Sequence, residues 1–490
     1  MPIALVVLAC LADAAVGTVI DGVQPAAVDQ PRTTISFSRP ATPGTPLTAT
    51  GLDGPTIAVP AYYDTGASGI VIDAERAAAL GIQLQTLNGQ PVVFSDVGAE
   101  GVIGFNISEP LIARIAPSLG VLDQLDENRI NALSNPANFQ TIYPRQSGPL
   151  RLQIGPVNGQ PNPFIGAISV VGMPAMVGNV IVMHTEPTTN IFTLLDDIPG
   201  NDEFDAFMRT HTYAGTARPA FNPANVNDPG IPVADRHVSL SYASFAKFTA
   251  ITPGAESPGL EHNPFIGPNP LRALDPSLPA DSTPPITVRH NNQSFDGSFL
   301  LDTGAAASFI SQQRAQQLGV RYDATNGIGS ANPLLLGVDP DRQFKLTISG
   351  IGGGSTNIAG FFADELLMRT DEGNAANDND PNHIRFNGAP VLVFDISVTD
   401  PDTKQVLTLD GIFGMNFLAA SGEFEIPAGQ IFPIFYGARE APFTYVTFDE
   451  PNKKLGLVLP IPEPALGASL LSVAALLTGR PRRRTAASPV

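Results

Sequence analysis

The sequence predicts a mainly β protein built from two similar halves, and three observations lead there. The 490 residues include 46 Gly and 47 Pro, a density of chain-turning residues that leaves little room for long helices. Hydrophobic residues make up 43% and charged ones only 15%, enough apolar surface for more than one core of ordinary size. One short stretch also occurs twice. It reads Ala61-Tyr62-Tyr63-Asp64-Thr65-Gly66-Ala67-Ser68 and, 238 residues later, Phe299-Leu300-Leu301-Asp302-Thr303-Gly304-Ala305-Ala306. A carboxylate at a sharp turn entered from an apolar strand is costly to bury, so two such copies point to function rather than packing.

The formal charge is −19, which argues against nucleic acid or an anionic membrane surface as partner. The sole cysteine, Cys10, lies in the apolar segment Ile3 to Ala12 and is followed by Ala12-Asp13-Ala14. This start reads as a signal peptide, residues 1–15, although no Lys or Arg precedes its apolar run. Val7-Leu8-Ala9-Cys10 also resembles a lipobox, in which Cys10 would be lipidated. On either reading the mature fold has no disulfide.

From Gly17 to Ala61 short runs such as Thr33-Ile35-Phe37 alternate between Pro and Gly turns, as strands do. After the first Asp-Thr-Gly come an apolar Ile70-Val71-Ile72 and a short helix from Asp73 to Leu80, ended by Gly81. The second copy is followed by Ser308-Phe309-Ile310 and a matching helix from Ser311 to Leu318, ended by Gly319. The offset holds without a gap, so this is an internal repeat. Val170-Val171-Gly172-Met173 and Ile412-Phe413-Gly414-Met415 form a second pair of landmarks.

The expected organisation is a first lobe over 16–250, a Pro-rich surface linker over 251–285, a second lobe over 286–459 and a tail over 460–485. Thr370 to His383 reads as a solvated polar insertion. Its Asp/Asn pattern admits calcium, but it lacks the glycine and closing glutamate of a helix-loop-helix site. The tail joins Pro462-Glu463-Pro464, a 14-residue apolar run from Ala465 to Thr478 and an arginine cluster at 480–484. A helix of that length spans about 21 Å, short of a hydrocarbon core of about 30 Å.

Two Asp-Thr-Gly turns, one per lobe, can bring two carboxylates together at the lobe interface. Like charges a few ångströms apart do not both ionise easily, so such a pair holds one proton. One member then acts as base on a water while the other hydrogen-bonds a carbonyl. Glycine lets backbone N–H groups approach the carboxylate, and threonine supplies a hydroxyl that can bond across the axis.

These residues resemble those of the aspartic peptidases, of both the two-lobed pepsin type and the retropepsin type. Asp410-Gly-Ile-Phe-Gly-Met-Asn-Phe417 looks like the retropepsin version of the second landmark, and Tyr445 to Leu457 resembles the closing strands of pepsin-like lobes. The resemblance implies two pseudo-symmetric β-barrel-like lobes of the acid-protease fold with the active site between them. It implies Asp64 and Asp302 as the catalytic pair, supported by Thr65, Gly66, Thr303, Gly304, Gly172 and Gly414. No cofactor or metal is implied, the substrate is a polypeptide, and one chain supplies both carboxylates, so a monomer is expected. Ala67 and Ala305 stand where pepsins have Ser or Thr. The chain has no Trp, so the pepsin pairing of a flap Tyr with a Trp cannot form. Candidate flaps are Gly98 to Gly104, containing Gly101 and Gly104, and Gly350 to Gly354 around Gly352. The tail resembles a PEP-CTERM sorting signal, which implies an exosortase-type processing enzyme as partner and export to the cell surface or matrix, with transient anchoring by the tail. A protein that keeps this fold only to bind peptides is the alternative function.

Overall fold

In the computed structural model, the residues described are 18–51, 54–57, 59–98, 101–116, 137, 140–141, 149–155, 169–185, 210–214, 219–224, 230–233, 237–245, 250–251, 256, 258–273, 275–277, 283–349, 355–399, 406–425 and 434–460. The segment expected to be a signal peptide, with Cys10, the candidate flap Gly350–Gly354 with Gly352, and the tail beyond Pro460 lie outside them.

Each half places its Asp-Thr-Gly turn at the end of a short apolar strand that is paired on both sides. In the first half, Val59–Tyr63 runs antiparallel to Arg32–Ser38 and parallel to Val170–Val171, which is antiparallel to Ile70–Ile72. Ile70–Ile72 is then parallel to Gln153–Ile154, and the hairpin of Gly101–Ile107 with Val93–Gly98 follows. In the second half, Phe299–Leu301 lies antiparallel to Asn263–Ile266 and parallel to Gly411–Phe413, which is antiparallel to Phe309–Ile310. Phe309–Ile310 pairs in parallel with Ile384–Val393, and the hairpin of Ser355–Met368 with Gln343–Ser349 completes the order. Strand order and direction are thus the same in both halves. Strands paired on both sides and covered on both faces should be continuously apolar, as Ile70–Ile72 and Phe299–Leu301 are.

The two short helices form where the sequence places them. Asp73 caps Ala74–Ala79 by accepting from Arg76 N (2.7 Å), and Ser311 caps Gln312–Gln317 by accepting from Arg314 N (3.2 Å). Gly81 and Gly319 end them with φ of +67° and +78°.

The expected mainly β fold of two like lobes is present, and among the described residues neither large sheet closes on itself. Strands from both halves form a further, shared sheet, in the order Thr210–Ala214, Asn179–His184, Tyr445–Asp449, Lys454–Val458 and Val238–Ser241. Two expected boundaries need correction. The segment 251–285 is not a bare surface linker. Its Asn263–Ile266 is a buried strand of the second sheet, too short to display a period of two and surrounded by prolines. The lobe boundary is crossed at the start of the chain as well, where Thr18–Asp21 pairs with Ile384–Val393 and Ala26–Ala27 with Ser421–Glu425. One apolar cluster accordingly runs through both halves, from Ile35 and Tyr63 to Phe299 and Phe413.

The polar insertion is largely exposed, as expected, and is also tied to the fold by charge. Asp378 receives Arg369 (2.7 and 3.1 Å) and Arg289 (2.5 Å), Glu372 accepts from Ser239 N, and Thr370 N donates to the buried His383 Nδ1 (3.2 Å). Burial pushes the Asp378 carboxyl up, but Arg369 and Arg289 outweigh it and hold it below the usual range. A folded-state value below the unfolded one gives stability that is present above the unfolded value and lost as pH falls through the folded one. We therefore expect Arg369→Met to lower stability by about 2 kcal/mol at pH 7, from lost charge-assisted hydrogen bonds. In urea titrations the gap to the parent should narrow as pH falls below about 4, where the unfolded chain takes up a proton that folded Asp378 still resists, and close as pH falls through the lowered folded value.

Candidate active site

The parallel neighbours carry each turn to the same place. Asp64 N donates to Val171 O (3.1 Å) and Asp302 N to Phe413 O (3.0 Å). Just beyond, Met173 N donates to Ala67 O (2.9 Å) and Met415 N to Ala305 O (2.8 Å), so Gly172 and Gly414 sit directly beside the two turns. A β-carbon on either would run into turn carbonyl oxygens, those of Gly69 and Ala67 for Gly172 and those of Ala307 and Ala305 for Gly414. Close approach is why these landmarks are glycines.

Within each turn the carboxylate is cradled by backbone. Asp64 Oδ1 accepts from Gly66 N (2.7 Å) and Ala67 N (3.1 Å), and Asp302 Oδ1 accepts from Gly304 N (2.9 Å) and Ala305 N (3.0 Å). Between the turns the two threonines exchange bonds. Thr65 Oγ1 donates to Leu301 O (2.6 Å) and accepts from Thr303 N (3.0 Å). Thr303 Oγ1 donates to Tyr63 O (2.8 Å) and accepts from Thr65 N (3.1 Å). Both side chains are 1% exposed, so these four bonds form out of water.

That exchange brings each carboxylate against the opposite glycine. A β-carbon on Gly66 would lie 2.6 and 2.7 Å from the Asp302 carboxylate oxygens, and one on Gly304 would lie 2.5 and 2.7 Å from those of Asp64. Gly66 therefore has one carboxylate on its N–H and the other against its Cα, as does Gly304. The two acids share a single small region while both remain partly open to solvent. Such an arrangement can hold a water between an acid and its conjugate base.

Gly101 and Gly104 lie on a strand of a hairpin rather than in an open loop, paired with Gly98 and Ser95. The root of this hairpin packs Phe94 and Phe105 with Val71 and Val170, and Ala67 of the first turn packs against the same cluster. The equivalent second hairpin packs Leu346 and Ile358 in a cluster that Ala305 and Ala306 touch. Sequence reasoning missed the residues that buttress the turns from outside. Ser68 Oγ donates to Asn263 Oδ1 (2.6 Å), Asn263 Nδ2 donates to Thr65 O (2.9 Å), and Gln30 Nε2 donates to Gly304 O. One sequence signal was available: both amide residues directly precede a proline, Pro31 and Pro264.

No protein-family model matches the chain, and no curated protein matches it. Among solved structures, the crystal structure of basic 7S globulin from soybean is similar with a TM-score of 0.35 at 10% identity, over 88% of this chain and 95% of that one. The crystal structure of edgp is similar with a TM-score of 0.32 at 10% identity, over 90% of this chain and 97% of that one.

The threonine exchange can be measured. Thr65→Val keeps the shape but removes the donor to Leu301 O and the acceptor for Thr303 N. Two unsatisfied buried groups should cost about 2–4 kcal/mol in denaturant unfolding. Thr65→Ser, which loses only a methyl group, should cost about 1 kcal/mol.

Proposed function

We propose that the protein is an aspartic-type endopeptidase whose catalytic pair is Asp64 and Asp302. The observation that carries the reading is reciprocal: each carboxylate is held by its own turn's N–H groups and pressed against the other turn's glycine. A peptide-binding surface needs no such meeting of two acids, whereas hydrolysis by an acid pair requires it.

In the proposed reaction one carboxyl carries the shared proton and the other is ionised. The ionised one takes a proton from the water as its oxygen attacks the peptide carbonyl carbon, and the protonated one gives its proton to the carbonyl oxygen. The tetrahedral diol then collapses: the carboxyl that took the water's proton gives it to the nitrogen, and the C–N bond breaks. A diol hydroxyl returns a proton to the other carboxylate, leaving an acid, an amine and the starting pair. Fixed N–H groups on each Oδ1 cost no reorganisation during these steps. The hairpin of Val93–Gly98 and Gly101–Ile107 is the proposed cover, because its root is packed against the first turn; a cover excludes water from the reacting bond.

The reading extends to location. The tail is proposed to direct export to the cell surface or matrix through an exosortase-type enzyme, on the strength of its three-part sequence.

Incubating the purified protein with an unfolded protein at pH 3 to 6, with and without pepstatin, tests the chemistry. Cleavage should occur and pepstatin should stop it. Asp64→Asn and Asp302→Asn should each lower kcat by at least about 10³-fold, since either change removes the shared proton arrangement. A folded parent that cleaves nothing across this range would sink the proposal. Tight peptide or pepstatin binding in that case would favour a binding module.

A further inference from the structure

We propose that Gln30 and Asn263 are positioning residues for the two carboxylates, each reaching from the segment that leads into one half to the turn of the other. This inference rests on the peptidase reading for its consequence in catalysis, but not for its geometry.

Gln30 stands just before the Arg32–Ser38 strand of the first half, and its side-chain amide donates to Gly304 O in the second turn. Asn263 opens the Asn263–Ile266 strand of the second half, and its amide donates to Thr65 O in the first turn (2.9 Å). The neighbouring backbone repeats the crossing. Ala27 N donates to Ala306 O (2.7 Å) and Glu261 N to Ser68 O (2.8 Å). Asn263 is completely buried, and Ser68 Oγ fixes its orientation by donating to Oδ1 at 2.6 Å. A proline follows each amide residue and holds it in extended backbone.

The carbonyls chosen matter because a peptide unit is planar and trans. Thr65 O and Gly66 N–H belong to one unit and point in opposite directions. Fixing Thr65 O from one side therefore aims Gly66 N–H at Asp64 Oδ1 on the other, where it lies at 2.7 Å. Gly304 O and Ala305 N–H likewise share a unit, and Ala305 N–H meets Asp302 Oδ1 at 3.0 Å. A donor on the carbonyl also polarises the unit and strengthens its N–H as a donor. Each chain of bonds thus runs from a side-chain amide, through one peptide, to one carboxylate. It fixes the direction of that acid's Oδ1 and keeps a backbone donor aimed at it.

Each carboxylate lies against the glycine whose N–H the other carboxylate accepts, so the two acids are neighbours. On the two lead-in segments, Asp29 is paired with Arg32 (3.0 Å), and Glu261 engages the first turn through its backbone N–H. Neither Gln30 nor Asn263 titrates, so a change in pH behaviour on replacing them reports on the carboxylates.

The test uses Gln30→Met, which keeps length without a donor at a half-buried position, and Asn263→Ala. The pH dependence of kcat/KM on a peptide substrate is measured beside carboxyl carbon-13 NMR titration of the aspartates. The expected result is that the acid limb, and the titration of Asp302 for Gln30→Met or Asp64 for Asn263→Ala, move up by about 0.5–1 pH unit. An accompanying drop of about tenfold in kcat is expected. If a variant loses activity while both pH behaviours stay where the parent has them, the residue only packs and the proposal is overturned. Should Asn263→Ala fail to fold, Gln30→Met decides. If the parent cleaves no peptide, the peptidase reading fails, yet the NMR titrations still test the positioning.

Discussion

Two buried threonine hydroxyls, each donating to a carbonyl and accepting an amide of the opposite half, set the constraint on which the rest depends. Thr65 and Thr303 make four bonds that cross between the halves, all out of water. In such a place an unmade bond costs more than a made one contributes, so the turns meet in one register or not at all. Every other feature of the site follows from that register. The glycines must be glycines because the opposite acid occupies the space of a side chain, and the acids meet because the glycines let them.

The surrounding fold resists any change in that register. A sheet with strands from both halves, one apolar cluster through both, and an N-terminal segment paired to the second half all oppose relative rotation. Hinged lobes would allow the two carboxylates to drift by an ångström or more, which is ruinous for a shared proton. Sharing strands removes that freedom in exchange for strand boundaries that no longer coincide with the repeat.

The sequence made the centre of the site legible and left its surroundings dark. Asp64 and Asp302, their threonines and glycines, the caps Asp73 and Ser311 and the landmarks Gly172 and Gly414 were readable because each is fixed by local chemistry that recurs in two copies. Asn263 was hidden because four residues flanked by prolines look like a loop, and its partners, Ser68 and Thr65, come from far along the chain. The polar insertion is largely exposed, as its Asp and Asn composition suggests, but Arg289 and Arg369 pair with Asp378, and composition carries no record of that. The strands shared between the halves were equally invisible, since a strand's periodicity says which face is buried and not which half its edge will join.

The two buttresses show how a duplicated structure can keep a symmetric centre with unlike supports. Around the first turn, a buried asparagine is held by Ser68; around the second, a half-buried glutamine donates to Gly304 O, and Ala306 stands in the serine's place. The landmark glycines differ in the same way, Gly172 N donating to Gly69 O and Gly414 N to Ser308 Oγ. Backbone geometry is common to both turns while the side chains that secure it have diverged. An acid pair that shares one proton needs its two members alike in position but unlike in ionisation. On the proposed peptidase reading, unequal supports around equal turns would supply a physical origin for that difference, and neither half contains it alone.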